Sequence, residues 1–158
     1  MMKVAIFPGS FDPFTRGHEA IVAQALTMFD KVVIAIGENI AKRGFLSIEQ
    51  RAKLIRELYA KESRIEVKCY NSLTGECAQE VGACAIIRGV RNTIDFEYEK
   101  NMAQVNSRLF PQIATVLLLT PAELSDISSS TIRELVTFKK DVLEMMPRGV
   151  KLEEYMTK

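Results

Sequence analysis

The stretch Phe7-Pro-Gly-Ser-Phe-Asp-Pro-Phe-Thr-Arg-Gly-His18 decides how the rest of this 158-residue chain is read. A short apolar segment, Val4 to Phe7, precedes it. A helical pattern follows, with Ile21, Ala25 and Met28 on one face and Val22 and Phe29 beside them. Strand, irregular loop and helix make a layout that binds phosphate. Pro8, Gly9, Asp12 and Pro13 keep the loop tight and let a ligand approach the backbone. Gly17 opens the helix, whose unpaired N–H groups and positive dipole end face the loop. His18 stands on that first turn and is the only histidine in the chain. A lone histidine is more often a polar residue on a capped turn. Its place at a helix start after this loop raises the functional reading without deciding it.

Length and composition bound the answer. At 158 residues, with 47% hydrophobic side chains and no Gly/Ser-rich or charge-rich linker, the chain is expected to form one domain over residues 1–158. Lys and Arg number 21 against 20 Asp and Glu, so no polybasic field marks a nucleic-acid or membrane partner. The N-terminal apolar run is too short for a signal peptide and no run reaches the length of a membrane span, which makes a cytoplasmic location the expectation. Cys69, Cys77 and Cys84 lack C-x-x-C spacing, and one histidine gives no zinc set, so no protein-held metal is expected. All three cysteines read as buried small hydrophobes in a reducing compartment.

Along the chain, strands and helices alternate. Lys31 to Gly37 is a continuous apolar run suited to a strand buried on both faces. A loop over 38–46 holds Lys42 and Arg43. Ser47-Ile-Glu-Gln50 has capping-box spacing and starts a helix with Ile48, Ala52, Ile55 and Tyr59 on one face. Ile65 to Cys69 is a third strand, Thr74 to Val81 a short helix, and Cys84 to Arg88 a fourth strand. Ile94, Tyr98, Met102, Val105 and Leu109 recur at helical spacing up to Pro111, and Ala114 to Leu119 reads as a fifth buried strand. Residues 120–130 read as loop and Thr131 to Phe138 as helix. A helical tail from about 141 is broken at Pro147 and Gly149. This order predicts an α/β fold: a Rossmann-like, open, parallel five-stranded sheet with helices on both faces and ligands at the carboxyl ends of its strands.

The suspicious residues fall at those ends. Arg88-Gly-Val-Arg91 follows the fourth strand, and two guanidinium forks flanking a glycine suit phosphate oxygens, although one arginine alone at a strand end would mean little. Ile127-Ser-Ser-Ser-Thr-Ile-Arg133 crowds hydroxyls around a helix start; a plain N-cap needs one of them, and a redundant cap remains the bland reading. Lys42 alone would be an ordinary solvated lysine. Together these groups suit a polyphosphate nucleotide in a basic, carboxylate-poor site. Neither G-x-G-x-x-G nor G-x-x-x-x-G-K-[ST] occurs, which excludes ordinary Rossmann dehydrogenases and P-loop kinases, and no G-x-S-x-G elbow is present.

Thr15-Arg-Gly-His18 with Ile127-Ser-Ser-Ser-Thr-Ile-Arg133 resembles the signature pair of the nucleotidyltransferase superfamily. Pro8-Gly-Ser-Phe-Asp-Pro13, Lys42, Arg88-Gly-Val-Arg91 and Asp95-Phe-Glu-Tyr-Glu99 are similar to the bacterial phosphopantetheine adenylyltransferases, from Lys3 to about Gly149. The resemblance implies transfer of AMP from ATP to 4′-phosphopantetheine, giving dephospho-coenzyme A and pyrophosphate with Mg²⁺ assisting. It implies His18 as the catalytic residue and Ser10, Lys42, Thr74 and Arg88 around the acceptor. ATP would meet Ser10, Phe11, His18, Gly89, Val90, Arg91, Glu99, Leu124, Ser125, Asp126, Ile127, Ser128, Ser129 and Ser130. It further implies a homohexamer with coenzyme A as feedback ligand. Ser10 stands where threonine is frequent and keeps the hydroxyl; Leu124 stands where a larger aromatic can occur, which loosens the packing expected around adenine. Two other readings stay open: a sister nucleotidyltransferase with nicotinate mononucleotide or glycerol phosphate as acceptor, and a non-catalytic nucleotide sensor or RNA-binding module on the same fold.

Overall fold

The computed structural model describes residues 1–156; positions 157 and 158, the expected end of the C-terminal tail, lie outside the described residues. Five strands, β1 (Val4–Gly9), β2 (Lys31–Gly37), β3 (Ile65–Tyr70), β4 (Ala85–Val90) and β5 (Ala114–Leu119), pair in parallel in the order β3-β2-β1-β4-β5. Between and after them come α1 (Arg16–Ala25), α2 (Ile48–Leu58), α3 (Thr74–Glu80), α4 (Thr93–Leu109), α5 (Ser129–Thr137) and α6 (Glu153–Met156). The expected sheet is therefore present.

Period-two alternation divides the strand residues between two cores. Phe7, Ile34 and Ile87 point to one face, where α1, α2, α5 and the tail cover them with Ile21, Ile55, Ile132 and Met146. Ile6, Ala35 and Ile86 point to the other, under Cys77 and Ala78 of α3 and Phe110 after α4. β1 and β2 are shielded on both sides, which their unbroken apolar runs require. β5 is instead an edge strand, half-buried at its centre and with Leu119 exposed, because only β4 pairs with it. The expectation of a fifth buried strand is corrected on that point.

Other boundaries also move. α1 ends at Ala25, so Met28 lies past the helix and is exposed, while Phe29 still packs on the core. α5 begins two residues earlier than expected because Ser128 is its N-cap, accepting the Thr131 N–H at 3.1 Å. Among the cysteines only Cys77 is buried; Cys69, on edge strand β3, and Cys84, just ahead of β4, are exposed thiols. The periodic stripe of α4 faces outward: of its residues only Glu99 is buried.

The capping box expected at Ser47 forms, with Ser47 Oγ accepting from Gln50 N–H at 3.1 Å and Gln50 Oε1 accepting from Ser47 N–H at 2.8 Å. The tail, from 141 onward, holds a 3-10 turn at Leu143–Met145 and then α6. It is tied back to the fold: Arg16 Nε donates to the Met146 carbonyl at 3.1 Å, and Tyr155 Oη donates to Glu57 Oε2 at 2.6 Å. No helix among the described residues is long and apolar enough to cross a membrane.

The chain moves outward from β1 through β2 to β3, then returns across β1 to lay down β4 and β5. Strand order thus reverses between β1 and β4, and the crevice at their carboxyl ends is where a parallel sheet offers a ligand site.

Candidate active site

A cavity of about 350 Å³ opens in that crevice. Ser10 and Phe11 enter it from the loop after β1, Thr15 and His18 from the start of α1, and Arg88 and Gly89 from β4. Arg91, Asp95 and Glu99 close one side and Ile127, Ser128, Ser129, Ser130 and Arg133 the other. The loop is folded tightly. Phe11 has a positive φ of 49° and its ring turns back over Gly9, where an added Cβ would sit 2.9 Å from the ring, so position 9 has room only for hydrogen.

His18 occupies the third position of α1 and forms a capping box with Thr15, a role usually given to Glu or Gln. The Thr15 N–H donates to His18 Nδ1 at 3.0 Å, and Thr15 Oγ1 accepts from His18 N–H at 3.2 Å. Because Nδ1 is an acceptor, the ring proton of the neutral form belongs on Nε2. Phe11 and Phe14 stand 5.0 and 5.2 Å from the imidazole, centroid to centroid. Burial against them, with the Arg88 and Arg91 charges beside it, lowers the His18 pKa to about 3. His18 is therefore neutral near pH 7, with its ring proton on Nε2.

The arginines are not free cations, and the site is not carboxylate-poor. Arg88 Nε and Nη2 donate to Glu99 Oε2 and Oε1 at 2.9 and 2.8 Å, and Nη1 donates to the Pro8 carbonyl at 2.6 Å. Arg91 Nε and Nη2 donate to Asp95 Oδ2 and Oδ1 at 2.9 and 3.3 Å. That bond holds the Asp95 carboxyl below its usual range despite partial burial. The three serines also divide their work. Ser128 caps α5, Ser129 Oγ donates to the Pro13 carbonyl at 2.8 Å, and Ser130 lies on the rim.

Of the other expected residues, Thr74 lines a second cavity of about 200 Å³ with Tyr98, Met102 and Asn106, which shares Pro8, Arg88 and Glu99 with the first. Lys42 lies exposed on the 38–46 loop and lines neither cavity. Val90 is buried beneath the site, and Leu124 packs on the core. Ser125 Oγ donates to the Ala122 carbonyl at 2.8 Å, and Asp126 is exposed. Arg133 was not among the expected site residues, yet it lines the cavity while Nη1 donates to the Asp12 carbonyl at 2.9 Å. Its place in the serine motif was the available signal. Tyr98, Met102 and Asn106 recur every four residues on α4, a signal for a shared face.

Residues 6–135 match the cytidylyltransferase-like family. The phosphopantetheine adenylyltransferase of Bacteroides thetaiotaomicron is 46% identical over 151 residues, covering 96% of this chain and 99% of its own. That of Cytophaga hutchinsonii is 47% identical over 147 residues, covering 93% and 98%. The chain belongs to the phosphopantetheine adenylyltransferase family. It is accordingly a nucleotidyltransferase. A bifunctional NMN adenylyltransferase/ADP ribose pyrophosphatase from Francisella tularensis superposes with a TM-score of 0.69 at 18% identity, over 92% of this chain and 45% of that longer one, a likeness of fold.

Proposed function

We propose that this chain transfers AMP from ATP to the phosphate of 4′-phosphopantetheine, giving dephospho-coenzyme A and pyrophosphate. The observation that carries the reading is the pair of adjoining cavities meeting at Arg88: one is lined by helix starts and hydroxyls, the other by Thr74, Tyr98, Met102 and Asn106. ATP takes the first, against Ser10, Phe11, His18, Gly89, Val90, Arg91, Glu99 and the turn 124–130. The acceptor arm takes the second, with its phosphate near Arg88, Ser10 and Lys42.

An acceptor phosphate oxygen attacks the α-phosphorus, and the bond to the β-phosphate bridging oxygen breaks. Pyrophosphate departs with the electron pair. The acceptor is already anionic at neutral pH, so no base is needed; holding two polyanions in line and stabilising developing charge is the whole task. His18 Nε2–H donates to the α-phosphoryl oxygens as their charge grows.

Magnesium enters with ATP as its counter-ion. Both carboxylates on the cavity wall, Asp95 and Glu99, are taken by arginines and do not fit a metal-holding role. The charges of Arg88, Arg91 and Arg133 against Asp95 and Glu99 leave one net positive charge for a triphosphate, which favours a divalent partner. A structure of the Francisella enzyme contains AMP and a manganese ion.

The chain works as one nucleotidyltransferase domain in a reducing cytoplasm, a setting supported by its three free cysteines. It assembles as a homohexamer, supported by an outward α4 stripe in which Ile94 is 80% and Leu109 57% exposed. Coenzyme A, sharing the pantetheine arm, restrains it from the acceptor cavity. Pyrophosphate release with ATP and phosphopantetheine tests the reaction. Turnover with nicotinate mononucleotide or glycerol phosphate instead would overturn it.

A further inference from the structure

Two charged side chains are buried just outside the cavity and have no part in the chemistry above. Asp12 is 8% exposed; its Oδ2 accepts from the Phe45 N–H and its Oδ1 from the Leu46 N–H, each at 2.7 Å. Arg51 of α2, also 8% exposed, donates from Nη1 to the Ser10 carbonyl at 2.8 Å and from Nε to the Leu46 carbonyl at 3.2 Å. Gly44 is wedged among them: a Cβ there would lie 2.7 Å from the Leu46 oxygen, 3.0 Å from Asp12 Oδ2 and 3.2 Å from Arg51 Nη2.

These bonds join two loops that are distant in sequence. One carries Ser10; the other, over 38–46, carries Lys42, and both of those residues are exposed. Removing a carboxylate and a guanidinium from water costs several kcal/mol each, so apolar packing would serve stability alone as well or better. Fixed charge-assisted bonds add a defined separation between the loops. In a reaction whose barrier is lowered by alignment, a displacement of about 1 Å can cost on the order of 10²-fold in rate.

We infer that Asp12 and Arg51 are positioning residues that clamp the Lys42 loop to the Ser10 loop and so set the acceptor phosphate in line with the nucleotide. This rests on the acceptor reading given above. Asp12 grips only the root of the Lys42 loop, so loosening it separates the two substrates kinetically.

The test is steady-state kinetics with both substrates varied, on Asp12→Asn, Gly44→Ala, Lys42→Ala and the Asp12→Asn/Lys42→Ala double variant, with thermal melts alongside. Asp12→Asn keeps one acceptor but turns an amide N–H toward a backbone donor; Gly44→Ala displaces the loop while leaving both charges in place. The expected result is a kcat/KM for phosphopantetheine lowered about tenfold in both variants, with a fall in kcat as well as a rise in KM, and a KM for ATP within about twofold of the parent. In the Lys42→Ala background, Asp12→Asn should add less than about twofold. Should Asp12→Asn fail to fold, Gly44→Ala supplies the same readout. An unchanged kcat/KM for the acceptor in the folded variants, or full additivity with Lys42→Ala, overturns the inference and leaves the function standing. Absence of turnover in the unsubstituted chain overturns both.

Discussion

Thr15 and His18 hold each other at both ends: the Thr15 N–H donates to His18 Nδ1 at 3.0 Å while Thr15 Oγ1 accepts from the His18 N–H at 3.2 Å. The bond that starts α1 is therefore also the bond that fixes which ring nitrogen carries a proton toward the cavity. Replacing His18 by Ala should lower kcat by roughly 10² to 10³ and leave ATP binding nearly intact, the usual loss for one preorganised donor. Single-turnover rates set against equilibrium ATP titration separate the two effects. Thr15→Val, which removes the cap oxygen, should cost about 1 kcal/mol of stability in a denaturant titration and lower kcat as the ring loosens.

His18 also gives stability an acid-side slope. Its pKa is about 3 in the fold against an ordinary 6.5 in the unfolded chain. Above 6.5 both states are neutral and the group contributes no difference. As pH falls from 6.5 toward 3, the unfolded chain binds a proton that the native state refuses, and stability is lost throughout that window. His18→Asn should therefore lose less stability between pH 7 and pH 5 than the parent does, by about 2 kcal/mol, in urea titrations at the two pH values. Asp95, whose pKa is also depressed, adds acid-side loss in both proteins and cancels in the comparison. An equal loss in both would show that His18 is protonated in the fold.

The two arginines should separate by stability as well as by ligand. Arg88→Ala strands Glu99, which is buried, and frees the Pro8 carbonyl, so a loss of about 3 kcal/mol is expected. Arg91→Ala breaks a more exposed pair and should cost less than about 1 kcal/mol. In binding, Arg88→Ala should chiefly weaken phosphopantetheine and Arg91→Ala chiefly ATP. Glu99→Gln in the Arg88→Ala background should recover part of the stability without restoring acceptor affinity. Calorimetric titration of each folded variant with each substrate decides it.

Transfer should be direct. Burial pushes the Cys77 thiol up and partial desolvation raises the more exposed Cys69, both away from nucleophilic thiolate, and the mechanism proposed above uses His18 as a donor. ATP made chiral at the α-phosphorus should give product with inverted configuration, as one in-line displacement requires. Retention, or a kinetically competent adenylylated protein, would show two displacements.

What could be read in advance was what is local. The strand before Pro8, the loop and the helix carrying His18 lie within a short stretch, and the unbroken apolar run of β2 announced its burial on both faces. The Arg88–Glu99 pair was not legible, because it exists only once α4 docks beside β4, so the site looked poorer in carboxylate than it is. Asp12 and Arg51 escaped notice for the same reason. An aspartate in a Pro-rich loop reads as turn chemistry, and only the fold brings the N–H groups of Phe45 and Leu46 to it. Leu119 shows the converse limit: an apolar run does not say whether a strand has one neighbour or two.

The Arg91–Asp95 bond has a bearing on what the resting site ignores. In a cell rich in inorganic phosphate and simple metabolite anions, an unattended guanidinium would be occupied by whatever diffused past. Here each small anion must first evict a carboxylate that is tethered four residues along the chain, on the first turn of α4, and therefore present at high effective concentration, and it gains one contact for the one it breaks. A ligand that reaches Arg91, the start of α5 and His18 at once gains several contacts for the same eviction. If ATP meets Arg91 as proposed above, the carboxylate acts as a threshold that favours a triphosphate over its fragments.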